Sequence, residues 1–319
     1  MAVIYDGTPE KRVYKNIFGE TMEAIAAADE SVVYLDADLM NSIGTLGFWK
    51  RNPRQAINCG IAEANMMGVA AGLSAGGKKP YVHTFGTFAT RRCYDQAFLS
   101  VAYAGNSVRI IGSDPGVCAG FNGGTHMPFE DMALMRAIPD STVLDVSDAA
   151  MLENLMWQVK DRTGLTYLRV TRKSYPAVYS DDHDFTIGRG QVVREGKDAT
   201  VIACGLMVSE AMAAANLLEN EGLSLHVVDM FTVKPIDREL VLESARKTGV
   251  VVTAENHNTI GGLGDAVADV LLHSGVAVKF RKLGVEDRFG SVGPQPYLQE
   301  HYGLTAENIA ATVKATVSL

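Results

Sequence analysis

The sequence has few cysteines and no dense block of positive charge, and each absence excludes a class of protein. Its 319 residues include four cysteines, which lie far apart without a Cys-x-x-Cys pair. A zinc knuckle or a dithiol redox motif is therefore not expected. Lysine and arginine are scattered, and the net charge is -8. An acidic chain of this kind lacks the electrostatic footprint of a nucleic-acid-binding protein.

Long apolar stretches are missing as well. No run approaches the roughly 18 apolar residues of a membrane span, and residues 1–10 do not show the basic and apolar pattern of a secretory leader. We therefore expect a cytoplasmic protein with free thiols and no membrane partner. Hydrophobic residues make up 47% of the chain and charged residues 21%, which is typical of globular proteins. The length favours about two domains.

Short apolar runs alternate with helical patterns through the first half of the chain. Runs of five or six mainly apolar residues predict strands at 31–36, 80–85, 107–112, 141–146 and 166–171. Apolar residues at helical spacing predict helices at 14–28, 61–76, 87–102, 132–138 and 149–160. Apolar strands separated by helices indicate a buried parallel sheet with crossover helices.

A second unit of the same kind follows a break in the pattern. Residues 172–190 show no sustained periodicity, which favours a linker. Strands are then predicted at 199–204, 224–229, 249–254 and 277–283, and helices at 209–220, 238–247, 265–273 and 305–317. The predicted fold is α/β with two doubly wound domains, 1–176 and 191–319, joined by the linker 177–190. Ligands of such sheets bind outside the carboxyl ends of the strands.

The predicted helix 61–76 carries one ionisable side chain, Glu63, among small and apolar residues. A helix that is apolar nearly all round is typical of a buried helix, and burial disfavours the charged form of a carboxyl group. Gly68 and Gly72 lie on one face and permit close approach of a helix or a ligand. The helix dipole alone also favours a glutamate in the first turn, so periodicity leaves both explanations open.

Aromatic and titratable groups stand at two further positions where a ligand is expected. Phe85 and Phe88 flank the carboxyl end of the predicted strand 80–85, where two rings can stack on a flat ligand. Two core aromatics are the alternative. The glycine-rich loop before residue 131 carries His126, whose imidazole suits proton transfer at neutral pH. A solvated loop histidine is the alternative there.

Taken in order along the chain, these segments resemble the transketolase family. The resemblance is carried by Asp36-Ala-Asp38-Leu, Gly60-Ile-Ala-Glu63, Thr84-Phe85-x-x-Phe88, Gly-Gly-Thr125-His126-x-Pro128-x-Glu130, Arg136-Ala-Ile138-Pro139 and Thr171-Arg172-x-x-Tyr175-Pro176. Glu255-Asn-His257 with Gly261-Gly-Leu-Gly264 extends it into the second half. It implies a thiamine-diphosphate pyrimidine-binding domain followed by a transketolase C-terminal domain.

The resemblance implies a cofactor site built from four residues. Glu63 is expected to hydrogen-bond the aminopyrimidine of thiamine diphosphate and to shuttle a proton there, which makes it a catalytic residue. Phe85 and Phe88 match the aromatic residues that stack on this ring. Asp38 matches a carboxylate that lines the cofactor site.

Substrate contacts are implied in the same way. His126 matches a catalytic histidine that contacts the donor ketose. Arg172 matches the arginine that grips a sugar phosphate, a task for which the guanidinium fork is suited, and Ser42 is a less specific match to a phosphate contact. Asn122 stands where the family loop usually has an acid, and Asp114 where it has a histidine. Those positions recognise sugar hydroxyls, so the substrate can differ from the usual pentose phosphate.

One family hallmark is missing. Full-length transketolases begin with a domain in which Gly-Asp-Gly and a later asparagine hold magnesium on the diphosphate oxygens. No Gly-Asp-Gly occurs in this sequence, and its strand pattern starts close to residue 1. We therefore expect no metal ligands from this chain. A partner subunit with the missing domain is expected to supply Mg²⁺ and the diphosphate contacts, in an α2β2 assembly.

The interpretation we favour is a subunit of a split transketolase that moves a two-carbon ketol unit between sugar phosphates. Two alternatives remain. The beta subunit of a 2-oxo-acid dehydrogenase has the same two domains and also needs a partner, although the loop around His126 and Arg172 favour a phosphosugar enzyme. A non-catalytic scaffold subunit that kept the fold is the other.

Overall fold

The computed structural model describes residues 3–319 and contains two β-sheets flanked by helices. The strands are β1 (Val32–Asp36), β2 (Ala56–Asn58), β3 (Lys79–Phe85), β4 (Val108–Ser113), β5 (Thr142–Asp145), β6 (Leu165–Val170), β7 (Gln191–Arg194), β8 (Ala199–Ala203), β9 (Leu225–Asp229), β10 (Thr232–Lys234), β11 (Val250–Asn258) and β12 (Lys279–Val285). The α-helices are α1 (Tyr14–Ala28), α2 (Met40–Ile43), α3 (Leu46–Arg51), α4 (Glu63–Ala75), α5 (Asp131–Ala137), α6 (Ala149–Val159), α7 (Leu206–Glu219), α8 (Arg238–Thr248), α9 (Leu263–Ser274), α10 (Gln295–Tyr302) and α11 (Ala306–Val317). Phe88–Arg92 and Gln96–Tyr103 are π-helical, and Gly116–Asn122 and Gly124–His126 are 3₁₀-helical.

The first sheet has the strand order β10-β5-β6-β4-β3-β1-β2. The strands β1 to β6 pair in parallel. The chain runs from β1 to β2 on one side and then returns to β3 on the other side of β1. The carboxyl ends of β1 and β3 therefore diverge at a topological switch point, which is where ligands of open α/β sheets bind.

The second sheet has the order β12-β11-β8-β9-β7, with β7 as an antiparallel edge strand. The helix α7 buries Leu206, Val208, Ala211 and Leu218 within this half of the molecule. Two α/β sheet domains are therefore present, and the predicted fold class is confirmed. Every strand predicted from an apolar run is formed, with ends that differ by a few residues.

Short elements were not predicted, and one of them joins the two halves. The three-residue strand β10 belongs by sequence to the second half, yet it pairs antiparallel with β5 in the first sheet. The strands β2 and β7 and the helix α10 were also missed. The sequence predicts a linker at residues 177–190 between domains 1–176 and 191–319, and these limits remain a prediction. Within that segment, Tyr179 and Phe185 are buried, so it packs against the sheets.

Two helix predictions need correction. The segment predicted as one helix over 87–102 forms two π-helical stretches separated at residues 93–95. The helix α4, expected to be buried all round, is exposed along Asn65, Gly68, Val69 and Gly72. These four residues lie at helical spacing, so they form one face. Composition shows that a helix is apolar but not which neighbour covers each face.

Buried acids cluster where the linker meets the second sheet. Asp229, at the end of β9, is fully buried and accepts a 2.8 Å hydrogen bond from the Tyr179 hydroxyl. Burial raises the pKa of the Asp229 carboxyl to about 8, and the nearby carboxylates of Asp148 and Asp145 act in the same direction. The protonated form is therefore the one that the fold accommodates.

Replacing Asp229 with asparagine should flatten the dependence of stability on pH. A carboxyl whose pKa is raised in the folded state stabilises most below its unfolded value of about 4, and this contribution is lost as the pH rises to about 8. One such group changes the free energy of unfolding by at most about 1.4 kcal/mol per pH unit. Urea titrations across this range should show a smaller slope for Asp229→Asn than for the wild type. Tyr179→Phe, which keeps the carboxyl group, should retain the slope; an equal slope in Asp229→Asn would contradict the assignment.

Candidate active site

A cavity of about 310 Å³ opens at the carboxyl ends of β1 and β3. It is lined by Ala37, Asp38, Leu39, Ile61, Glu63, Phe85, Phe88, Arg92 and His126. Five of the residues predicted from the sequence therefore share one cavity at the switch point: Asp38, Glu63, Phe85, Phe88 and His126. The cavity combines one buried acid with an aromatic wall and a positively charged side chain.

Glu63 is the first residue of α4, and its side chain is only 2% exposed. The helix N-terminus stabilises a carboxylate at this position. Its charge is also paired, because Nη1 of Arg92 donates to both Oε1 and Oε2 at 3.1 Å. A buried carboxylate needs such a partner. Sequence reasoning missed Arg92, although its spacing of four from Phe88 was a signal that both face the cavity.

Phe85 and Phe88 do not form two parallel plates. Their ring centroids lie 6.3 Å apart, and the ring planes meet at 70°. The His126 ring closes a third side, with its centroid 5.4 Å from Phe85 and 5.1 Å from Phe88, edge to face. A flat ligand can thus stack on one phenyl face while the other ring meets its edge. The two phenyl rings and the imidazole therefore form an angled aromatic wall.

The loop that carries His126 packs closely against the second half of the chain, which requires glycine at position 124. A side chain at Gly124 would collide with the backbone of Gly290 in the second half of the chain. The neighbouring Thr125 Oγ1 lies 2.9 Å from His126 Nδ1 and orients the ring. Burial lowers the pKa of His126 below its ordinary value, and the positive charge of Arg92 adds to this effect. The imidazole is therefore neutral near pH 7 and can exchange a proton with a bound oxygen.

Asp38 stands at the cavity mouth in a left-handed backbone conformation, with φ of 66°. Aspartate is among the residues that tolerate this region best. Asn58 Nδ2 donates to Asp38 Oδ1 at 2.8 Å, and the buried Asp36 accepts a hydrogen bond from Leu39 N. These contacts fix the turn after β1 and direct the Asp38 carboxylate to the solvent side of the cavity.

The remaining predicted residues lie outside the cavity wall. Arg172 is adjacent to it, with its guanidinium carbon 5.2 Å from the Phe85 ring centroid and its Nε donating to Asp114 Oδ2 at 2.5 Å. Asn122 is exposed at the end of its 3₁₀ helix, and Ser42 is half-buried in α2. The structure thus brings Arg172 to the aromatic wall, and it shows that Asp114 is engaged by Arg172.

A second cavity of about 340 Å³ adjoins the loop that carries His126. Arg91 and Arg288 are among its lining residues, with Gly124, Glu130 and Phe289. Arg91 Nε lies 2.9 Å from Glu130 Oε1, so part of the positive charge is balanced. The same cavity is also lined by Asp287, so its two arginines are matched by two acids.

The backbone of the glycine-rich segment 261–264 is hydrogen-bonded by side chains of the protein itself. Glu255 accepts hydrogen bonds from Leu263 N at 2.7 Å and Gly264 N at 2.8 Å, and Arg136 donates to Gly262 O at 2.8 Å. These two backbone amides are therefore already hydrogen-bonded within the protein. Burial raises the pKa of the Glu255 carboxyl to about 7. This segment joins the two halves of the molecule.

Within residues 3–319, no three or more His, Cys, Asp or Glu side chains converge in a way that could hold a metal ion. Across the same residues, no helix combines the length and the apolar character needed to cross a membrane.

Comparison with known proteins gives two family matches that together cover most of the chain. The models "Transketolase, pyrimidine binding domain" and "Transketolase, C-terminal domain" match residues 10–178 and 188–309. A 6-deoxy-6-sulfo-D-fructose transketolase subunit of Clostridium sp. (strain MSTE9) is 46% identical over 300 residues, 94% of this chain and 93% of that protein. A subunit of the apulose-4-phosphate transketolase of Phocaeicola vulgatus is 34% identical over 92% of this chain and 94% of its own length.

A solved structure described as a split gene transketolase, inactive beta4 tetramer, is similar in fold. It is 41% identical, covers 96% of this chain and 98% of its own chain, and has a TM-score of 0.88.

Neutralising Arg92 should raise the pKa of His126. The Arg92→Gln variant removes a nearby positive charge that disfavours the imidazolium, while the burial of the ring is retained. NMR titration of the His126 ring should give a midpoint below the ordinary value of about 6.5 in the wild type and a higher midpoint in Arg92→Gln. Arg92→Lys keeps the charge and should stay close to the wild type. An unchanged midpoint in Arg92→Gln would show that the charge does not act on His126.

Proposed function

The chain belongs to the transketolase family, and from that premise we propose that it is the pyrimidine-binding subunit of a split, thiamine-diphosphate-dependent transketolase. The observation that carries the proposal is the buried Glu63 carboxylate beside the aromatic wall of Phe85 and Phe88. An acid with a flat apolar surface next to it suits a heteroaromatic ring with a basic nitrogen. The reaction is the transfer of a two-carbon ketol unit between sugar phosphates.

The side chains of the cavity fit the aminopyrimidine half of the cofactor. Glu63 would hold a proton at the ring nitrogen, Phe88 and Phe85 would hold the ring plane, and Asp38 would line the mouth. Thiamine diphosphate, when bound, supplies the carbon nucleophile that amino-acid side chains lack. The aromatic wall and the low exposure of Glu63 keep water from this carboxylate, so a proton placed there is directed to the ligand.

The substrate contacts follow from the groups at the rim. The neutral His126 imidazole would exchange a proton with an oxygen of the ketose, and Asn122 would contact sugar hydroxyls. Arg172, already oriented by Asp114, would bind the anionic end of the substrate, with Ser42 as a further contact. A phosphate and a sulfonate share this anionic chemistry, and one relative is described as acting on a sulfonated ketose.

A partner subunit completes the proposed enzyme. The sequence has no Gly-Asp-Gly, and two relatives of nearly equal length are described as subunits. The exposed apolar face of α4 along Gly68 and Val69 supports burial against another chain. We propose that the partner carries the diphosphate domain and Mg²⁺ in an α2β2 complex, and that the complex works in the cytoplasm. Neither nucleic acid nor membrane takes part.

Ketol transfer should require both the partner and Glu63. The chain alone should be inactive, and mixing it with a Gly-Asp-Gly-bearing subunit should give activity on xylulose 5-phosphate and an aldose acceptor. Glu63→Gln should lower kcat by roughly 10²- to 10⁴-fold, the usual contribution of a positioned proton-transfer group. Glu20→Gln, at an exposed position on α1, is the matched control.

Three results would contradict this proposal. Activity of the chain alone would remove the need for a partner. Full activity of Glu63→Gln in the complex would favour a scaffold subunit. Turnover of pyruvate with a lipoyl acceptor, in place of the ketose, would favour a 2-oxo-acid dehydrogenase.

Removing the guanidinium of Arg172 should weaken binding of charged donors selectively. A charge-assisted hydrogen bond contributes about 1.5–3 kcal/mol, so kcat/KM for a phosphorylated ketose should fall by roughly ten- to a hundredfold in Arg172→Met. Arg172→Lys should be intermediate because lysine lacks the planar fork. An uncharged ketose is the control and should be little affected. Comparing xylulose 5-phosphate, apulose 4-phosphate and 6-deoxy-6-sulfofructose would then identify the donor; equal losses on charged and uncharged donors would remove Arg172 from anion binding.

A further inference from the structure

The Arg92 guanidinium makes two contacts at once inside the cavity. Its Nη1 lies 3.1 Å from both carboxylate oxygens of Glu63, and its central carbon lies 4.1 Å from the centroid of the Phe88 ring. Under the proposed function, Glu63 and Phe88 are the groups that bind the aminopyrimidine. The same acid and the same ring are therefore already engaged by a side chain of this chain.

A guanidinium resembles an aminopyrimidine in the properties that these two groups recognise. Both are planar and delocalised, both present N–H donors in the plane, and both stack on an aromatic face. The Glu63 carboxylate is 2% exposed, whereas the Arg92 side chain is 48% exposed. Arg92 therefore lies between solvent and the carboxylate.

The local backbone explains how Arg92 comes to lie over Phe88. The segment Phe88–Arg92 is π-helical, and residues four positions apart lie on the same side of such a helix, so the two side chains are neighbours. Thr90 Oγ1 donates to Gly86 O at 2.7 Å, which stabilises the turn. Single π-helical turns occur frequently at functional sites. Because the Arg92 side chain is half-exposed, its guanidinium can move into solvent and stay hydrated. The buried Glu63 carboxylate then needs another hydrogen-bond partner in its place.

We propose that Arg92 is a displaceable occupant of the aminopyrimidine site, which stabilises the Glu63 carboxylate until the cofactor takes its place and which thereby sets cofactor affinity. The inference rests on the proposed function. Arg92 acts through Glu63, for which it competes with the cofactor, so its removal is expected to tighten cofactor binding. If Arg92 instead stayed bound to Glu63 together with the cofactor ring, its removal would weaken cofactor binding. The direction of the change in Kd therefore distinguishes the two roles.

The test measures thiamine diphosphate binding by calorimetry to the reconstituted complex with saturating Mg²⁺. Arg92→Met keeps most of the apolar stem and removes the charge. The Arg92 side of the pair is half-exposed and thus partly screened by solvent, so the expected gain is modest, with Kd about three- to fivefold lower than in the wild type. Arg92→Lys keeps the charge but lacks the planar fork, so its Kd should lie between those of the wild type and Arg92→Met. Arg51→Met breaks another Arg–Glu pair, with Glu23, outside the cavity lining and should leave Kd unchanged.

A double variant tests whether the effect of Arg92 on cofactor binding depends on Glu63. In Glu63→Gln, which cannot form the ion pair, adding Arg92→Met should bring no further gain, as a double-mutant cycle requires of coupled residues. Circular dichroism of each variant checks that the fold is retained. A gain of equal size in both backgrounds would show that Arg92 acts through something other than Glu63 and would overturn the inference.

The outcomes separate this inference from the proposed function. If the wild-type complex binds the cofactor and Arg92→Met binds it equally or less tightly, the role of Arg92 is overturned and the proposed function stands. If neither complex binds thiamine diphosphate, both are overturned. Binding by Arg92→Met alone would support the role of Arg92 in its strongest form.

Discussion

One buried guanidinium, that of Arg169 on β6, joins the two halves of the molecule and fixes the loop that forms the site. It is fully buried and donates to Asp131 at 2.8 Å, to Asp145 at 2.7 Å and to the backbone oxygen of Asn256 at 2.9 Å. Burial lowers the pKa of a guanidinium, but the two carboxylates outweigh it, and the net direction is upward. A buried charge is tolerated only with such complete pairing.

Asn256 connects the buried Arg169 to the segment that leads to the site. Its side chain donates to Pro115 O at 2.9 Å and accepts from Val117 N at 3.0 Å, so it holds the start of the segment that leads to His126. The other end of that segment leads into Asp131, which Arg169 also holds. The catalytic loop proposed for the first half is therefore positioned by contacts with the second half. This gives the C-terminal half a role in positioning the site, beyond packing.

The cavity itself depends on strand order. The strands β1 and β3 are neighbours in the first sheet, and β4 lies next to β3. The turn with Asp38, the turn with Phe85 and Phe88, and the loop with His126 follow these three strands, so they meet at one edge. Because parallel strands end at the same side, a few residues far apart in sequence form one pocket. Glu63 completes it from the first turn of α4.

The amino-acid pattern alone was enough to predict the two-domain α/β fold, because apolar runs of five or six residues form strands wherever they are buried, and the motif order indicated the residues of the cavity. It did not reveal β2 or β10, since strands of three residues depend on a partner strand and not on their own composition. Nor did it reveal the contact between Arg92 and Glu63, which are 29 positions apart and meet only because a π-helical turn and the N-terminus of α4 face the same cavity. These features depend on the folded arrangement because electrostatic pairing and edge pairing are set by distances in space, which sequence spacing does not specify.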